Sequence, residues 1–438
     1  MGQVITSSSE CHIDTLTDDA LIIIFSFLTL YERLMVMRVS KRCHRILSNP
    51  QVWTHVDFWQ EQQMTMPRKK LIASRYRKAW MFPNDQESVL DFLKKYTGGS
   101  LKSIYLNVVS RDILTHLKIH CGNLETISFL LANDPPDTAD LSDSLVTPLY
   151  FPEMMHLPKT IKMCEFSMGK TNGLQTEKVM ILLWKKLIIC FANCTNLWRL
   201  KLNEVSLSQE GCVALSDSNM TDLSLFNTRV AGGPDHQLNT VLMPLHKLTK
   251  IKSFRFSTNA PEKTQTWVNL DKFVRGISDQ WHKLRCLSLI GIQALSYETF
   301  ALMTSALTQL QILELYGNTI TDENISLIAK HLKKVTILKL TDGIYTPIGI
   351  RVLDGHPSIE KLYLLQNQQL QPSPEWLLAA YDVILSLPKI AYVKLIGYRI
   401  IALHAKEKIP KMTKDVEIQV ENPEVRSTSF WDMLPGFD

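Results

Sequence analysis

From Leu101 onward, apolar residues recur at i, i+3 and i+5. The spacing appears at Leu101-Ile104-Leu106, Leu124-Ile127-Phe129, Ile161-Cys164-Phe166, Leu197-Leu200-Leu202, Met220-Leu223-Leu225 and Ile251-Phe254-Phe256. It continues at Leu284-Leu287-Leu289, Leu310-Leu313-Leu315, Val335-Leu338-Leu340, Ile359-Leu362-Leu364 and Ile390-Val393-Leu395. Residues i+3 and i+5 of a short strand point to one side. The pattern therefore predicts a row of strands with inward apolar side chains, each followed by an outer helix, stacked so that neighbours close one core. The tighter steps between copies match a repeat period of about 20–29 residues, and the longer steps predict inserted loops. The copy LQILELYGNTITDENISLIAKHLKKV is the clearest. Asn318 falls at its strand-to-turn corner, and Thr321 is placed to cap a helix that buries Ile325, Ile328 and Ala329.

The stretch from Leu16 to Trp53 has a different period. Thr17 is a good N-cap, with Asp18 and Asp19 in the first turn, where the helix dipole favours acids. Leu21, Ile24, Phe25 and Leu28 form one helical face, with Ile22, Ile23 and Phe27 off it, so the helix is apolar nearly all round and buried on several sides. Thr29-Leu30-Tyr31-Glu32 reads as a capping box that starts a second helix, continued by Leu34, Met37 and Val39. A third carries Val39, Cys43 and Ile46 or Leu47, and Asn49-Pro50 ends it. A segment this small rarely buries a core alone, so its apolar surface is expected to be completed by another protein. Val56-Asp57-Phe58 reads as a short strand, Gln86 to Tyr96 as a helix stopped by Gly98-Gly99, and Val416, Ile418 and Val420 as a terminal strand.

Composition narrows the class. Of 438 residues, 45% are hydrophobic and 21% charged, which describes a folded soluble chain. A net charge of +5 is mild for this length and gives no argument for nucleic acid. Eight cysteines are scattered without a CxxC pair, and no charged segment with an apolar run opens the chain, so reduced thiols and a cytoplasmic or nuclear location are expected. The longest apolar run, Ala20 to Leu30, is about half of a membrane span. Gly2 lies in a loose N-myristoylation pattern, which would give marginal membrane binding at most. Arg68, Lys69, Lys70, Arg75, Arg77 and Lys78 read as a solvated helix face, with a nuclear-targeting or acidic-partner patch as the alternative.

Candidate chemistry is sparse. The chain has no phosphate-binding glycine loop, HExxH or GxSxG. His116, His120 and His246 are scattered, and Cys190 and Cys194, four apart, lack the further ligands of a four-ligand metal set. No catalytic, cofactor-binding or metal-binding residue is assigned. Asp134, Asp137, Asp140 and Asp143 mark an acidic insertion between Asn133 and Pro158. Arg229 to Asp235 and Thr258 to Thr266 read as further loops. The tail carries Phe430, Trp431, Leu434 and Phe437, which are expected to cap the open end of the array or to line its inner surface.

On Leu16, Asp18, Leu21, Ile24-Phe25, Leu28, Leu34, Arg38-Val39, Lys41-Arg42, Asn49-Pro50 and Val52-Trp53, the N-terminal stretch resembles the F-box motif. Thr17, Ser40 and Cys43 stand where that family often has Pro, Cys and Trp. The repeats resemble leucine-rich repeats, and Cys121 and Cys194, each three residues before a strand leucine, resemble the cysteine-containing subclass that packs them in the core. The whole chain thus resembles the F-box and leucine-rich-repeat family. That resemblance implies an α/β fold, a leucine-rich-repeat solenoid with a curved parallel sheet and outer helices, behind a small all-α F-box. The implied boundaries are a flexible N-terminus over 1–11, the F-box over 12–60, a linker with first repeat-like helices over 61–100, the array over 101–400, and a cap and tail over 401–438. It implies that Leu16, Thr17, Leu21, Ile22, Ile24, Phe25, Leu28, Leu34 and Val39 bind a Skp-family adaptor and, through it, a cullin. A protein substrate would lie on the concave face of the repeats, where Phe430, Trp431 and Leu434 are contact or cap candidates. The implied role is the non-catalytic substrate-recognition subunit of a cullin-RING ubiquitin ligase that marks proteins for proteasomal degradation. The alternative is an interaction scaffold or regulator with no ligase role.

Overall fold

In the computed structural model of the chain, the described residues are 13–58, 86–106, 111–131, 157–168, 177–230, 238–258, 269–292, 295–316, 320–366, 374–396 and 417–421. Gly2, the basic cluster at 68–78, the aspartates of the acidic insertion, Asn318 and the tail aromatics lie outside them. The chain divides into two compact units, Met1–Asn172 and Gly173–Asp438.

The first unit opens with three short helices, α1 (Asp18–Ser26), α2 (Leu30–Val36) and α3 (Lys41–Leu47). Their starts follow the polar residues expected of them. The Thr17 hydroxyl accepts from the Ala20 amide at 3.3 Å, and Thr29 and Glu32 form a reciprocal capping box. Helix α2 ends earlier than its apolar period suggested. Val39 therefore belongs to neither helix; it sits in the turn before Ser40, which caps α3 by accepting from the Cys43 amide. A 3-10 turn, Pro50–Trp53, leads into strand β1 (His55–Asp57). Strand β1 pairs in parallel with β2 (Ser103–Leu106), β2 with β3 (Thr126–Leu131), and β3 with β4 (Met163–Met168). The helices Gln86–Tyr96 and Arg111–His120 separate successive strands. Trp53 joins the two halves of the unit. It is fully buried, its indole N–H donates to the Leu47 carbonyl at 2.7 Å, and its ring meets Phe92 edge-on at 5.1 Å.

The second unit repeats one strand geometry. Its strands are β5 (Arg199–Asn203), β6 (Ser206–Leu207), β7 (Asp222–Val230), β8 (Ser253–Thr258), β9 (Cys286–Ile290), β10 (Ile312–Tyr316), β11 (Ile337–Gly343), β12 (Lys361–Gln366), β13 (Tyr392–Ile396) and β14 (Glu417–Glu421). From β7 onward each pairs in parallel with the next; β5 and the short β6 both pair with β7. Leu200, Leu223, Phe254, Leu287, Leu313, Leu338, Leu362 and Val393 face one another in register, and all are fully buried. The i+3 positions read from the sequence are thus the rungs of one apolar ladder, as a leucine-rich-repeat solenoid requires. Outer helices close it. Thr321 and Asn324 cap the helix Asp322–His331, which buries Ile325, Ile328 and Ala329. Strand β7 runs to Val230, past the point where a loop was expected, with Asn227 in the left-handed region at φ 49°. Strand β14 continues the ladder of β13 beyond residue 400.

Candidate functional site

The N-terminal helices are fastened at both ends by arginines. At the start of α1, Asp18 receives Arg42 Nη2 at 2.9 Å and Arg45 Nη2 at 2.7 Å, both from α3. The Arg42 hydrogen bond is the main cause of an Asp18 carboxyl held below its ordinary value. Arg42 also donates to the Leu16 carbonyl. At the other end, Arg33 of α2 is buried and donates to the carbonyls of Ser26 (2.7 Å), Leu28 (2.8 Å), Val52 (2.8 Å) and His55 (3.1 Å). Its guanidinium lies 5.3 Å above the Trp53 ring. Burial pushes its pKa down, but a guanidinium remains charged in proteins. The Ser26 carbonyl is the last of α1 and the Leu28 carbonyl follows two residues on, so Arg33 closes the C-terminal end of α1 as a C-cap would.

With the helices fixed this way, α1 divides cleanly. Leu21 (2% exposed) and Phe25 (3%) point into the unit's own core. Of the other residues assigned to adaptor contact, Leu16, Ile22, Leu28 and Leu34 are half-buried, and Thr17 is spent as an exposed cap. Ile24 (43%) and Val39 (75%) are exposed. Within α1 and its C-cap the most outward groups are two that the resemblance did not assign to adaptor contact, Ile23 at 61% and Phe27 at 84%. They are four residues apart, as are Leu21 and Phe25 on the opposite side. Choosing the inner pair fixes the outer pair, so the helical period held the signal once a core side was known.

On the repeats, the strand residues between the apolar rungs make a polar row. Glu314 pairs with Lys339 at 2.5 Å, and the Lys339 ammonium lies 4.9 Å over the Tyr363 ring, itself 5.3 Å from Tyr392. Arg199 and Arg255 approach Asp222 at 3.4 and 3.9 Å. Cys121 and Cys212 are fully buried and their thiols are pushed up, to about 11 and about 12, by burial. Such thiols are packing groups rather than nucleophiles at neutral pH. Among the described residues no group of three or more His, Cys, Asp or Glu is arranged to hold a metal, and no helix is long and apolar enough to cross a membrane.

Residues 14–59 match the F-box-like family model. The chain is 28% identical to F-box/LRR-repeat protein 12 of Bos taurus over 212 residues, which is 47% of this chain and 59% of that protein. The Homo sapiens protein of the same name is 28% identical over 213 residues, with the same coverage. The match thus spans well under two thirds of those relatives' length. Among solved structures, the yeast Rad7 and Elc1 complex aligns with a TM-score of 0.47 at 14% identity, covering 92% of both chains.

Proposed function

We propose that this F-box and leucine-rich-repeat protein is the substrate-recognition subunit of a Skp–cullin–F-box ubiquitin ligase. The observation that carries the reading is the F-box-like match at 14–59 together with the aliphatic and aromatic row that α1 leaves in water. Exposing Phe27 and Ile23 side by side forgoes about 1.5–3 kcal/mol for each side chain that a partner could bury. An adaptor of the Skp type would cover Ile23, Ile24 and Phe27, with Val39 as an outlying contact. The repeats would then hold a target protein. In that role the chain performs no bond chemistry. It raises the local concentration of target lysines near a ubiquitin thioester held elsewhere in the assembly.

The placement of side chains selects the test. Ile23→Asp with Phe27→Asp should abolish co-purification with a Skp adaptor and leave the melting temperature near wild type. Leu21→Asp with Phe25→Asp should instead unfold the helices, because it buries two carboxylates in apolar surroundings. Full adaptor binding by the folded Ile23/Phe27 variant would defeat the proposed surface. Absence of adaptor and cullin from wild-type purifications would favour the scaffold reading.

A further inference from the structure

From β8 to β11 each strand is led in by a residue whose carbonyl accepts two amides at the start of the next strand. Lys252 O takes the amides of Arg285 and Cys286, Arg285 O those of Gln311 and Ile312, and Gln311 O those of Thr336 and Ile337. Lys252, Arg285, Gln311 and Thr336 therefore stand side by side along one margin of the sheet, spaced by the roughly 4.8 Å between strands. This margin is basic. Lys250 and Lys252 precede β8, Lys283 and Arg285 precede β9, and Lys333 and Lys334 precede β11; all six are exposed. The loops 246–252, 281–285, 307–311 and 332–336 contain no Asp or Glu, whereas Asp217 before β7 and Asp354 and Glu360 before β12 bound the stretch on either side.

Helix dipoles account for part of the pattern. Lys283 follows the helix Asp271–Gln280, and Lys333 and Lys334 follow Asp322–His331, where cations are favoured. The dipole does not account for Lys252 and Arg285, like charges at adjacent lead-in positions, which repel each other. An anionic ligand lying along the margin would relieve that repulsion.

We propose that this margin, from β8 to β11, docks an acidic segment of a partner protein, bound in an extended conformation. Three strand spacings give a run of about 14 Å, which roughly four residues of extended chain would cover. Nucleic acid fits less well. Trp281 is the only Trp, Tyr or Phe in these loops, and it is buried with its indole N–H donated to the His246 carbonyl at 3.0 Å. The margin therefore offers no exposed Trp, Tyr or Phe on which a base would stack, His282 being its one exposed ring.

The inference does not depend on the adaptor reading, and its test uses the full chain without adaptor. A fluorescent glutamate-rich peptide and a fluorescent oligothymidylate are titrated against wild type, Lys252→Glu with Arg285→Glu, and a control, Lys118→Glu with Lys272→Glu, all at exposed positions. Glutamate already occupies the equivalent lead-in position at Glu360, so the reversal should leave the fold intact; unchanged melting confirms it. The expected result is peptide binding that weakens roughly tenfold or more in the margin variant and is lost with rising salt, while the control binds as wild type. No peptide binding by wild type overturns the proposal. So does equal weakening in the control, which would reduce the effect to net charge. Tighter binding of the oligothymidylate through the same two residues would overturn the choice of partner. Should the double reversal lower the melting temperature, Lys252→Gln with Arg285→Gln replaces it under the same criteria.

Discussion

The N-terminal helices and the repeats hold themselves together by opposite means. In α1–α3 a small apolar core is tied by a few polar groups, chiefly the buried Arg33, which serves four carbonyls, with Asp18 gathering two arginines at the surface. In the array it is spread along a ladder in which Leu313 is one rung between Leu287 and Leu338. A short segment with little core to bury gains definition from charged hydrogen bonds, whereas stacked repeats add similar nearest-neighbour contributions one after another. The first arrangement should be fragile at single residues. The second should fail locally.

The largest effect is expected from Arg33→Ala. It leaves four carbonyls without their buried donor, and by analogy with removing one partner of a buried charge it should cost roughly 3–5 kcal/mol. Amide hydrogen exchange would show residues 13–58 losing protection while the second unit keeps its own. A loss under about 1 kcal/mol, with unchanged exchange, would remove Arg33 from its assigned place. Leu313→Ala comes next, at about 2–5 kcal/mol for a fully buried leucine. Its exchange footprint should centre on β9, β10 and β11. An even loss from β5 to β14 would refute the nearest-neighbour picture.

The smallest effect concerns pH. Burial, followed by the charge of Lys333, lowers the pKa of the enclosed His356 from its ordinary 6.5. Between that value and the lowered one, the unfolded chain binds more protons than the folded chain, so stability falls as pH drops. The melting temperature of the second unit should decline as pH passes below 6.5, and His356→Leu should flatten the decline. His116 in the first unit, also lowered chiefly by burial, would keep its own slope. Identical pH profiles for wild type and His356→Leu would exclude His356 as the source.

The repeats were readable because their energetics are local in pattern: every inward rung recurs at i+3 and i+5, and Thr321 caps its helix by the residue chemistry that predicted it. The extension of β7 past a bulge near Asn227 was not readable, since no residue type there breaks the loop expectation. The N-terminal site was half readable. Caps and helices followed from Thr17 and Thr29, but a helix apolar on all sides does not say which side faces inward. Arg33 did leave a trace, because it shares a stripe with Leu30, Leu34 and Met37, where an arginine is out of place. Its partners, from Ser26 to His55, are too far apart in sequence for any short pattern to join them.

The position of β1 has a practical consequence for anyone dissecting the molecule. The F-box-like match ends at residue 59, yet β1 at His55–Asp57 lies inside it and supplies the hydrogen-bonding neighbour of β2. A repeat fragment begun after residue 59 would strip Ser103–Leu106 of that neighbour and present a raw strand edge, a template for intermolecular pairing and aggregation. Swapping the N-terminal module for another at the same boundary would carry off the foundation strand of the array. The functional border between the two regions and the physical border of the sheet are different places in the chain.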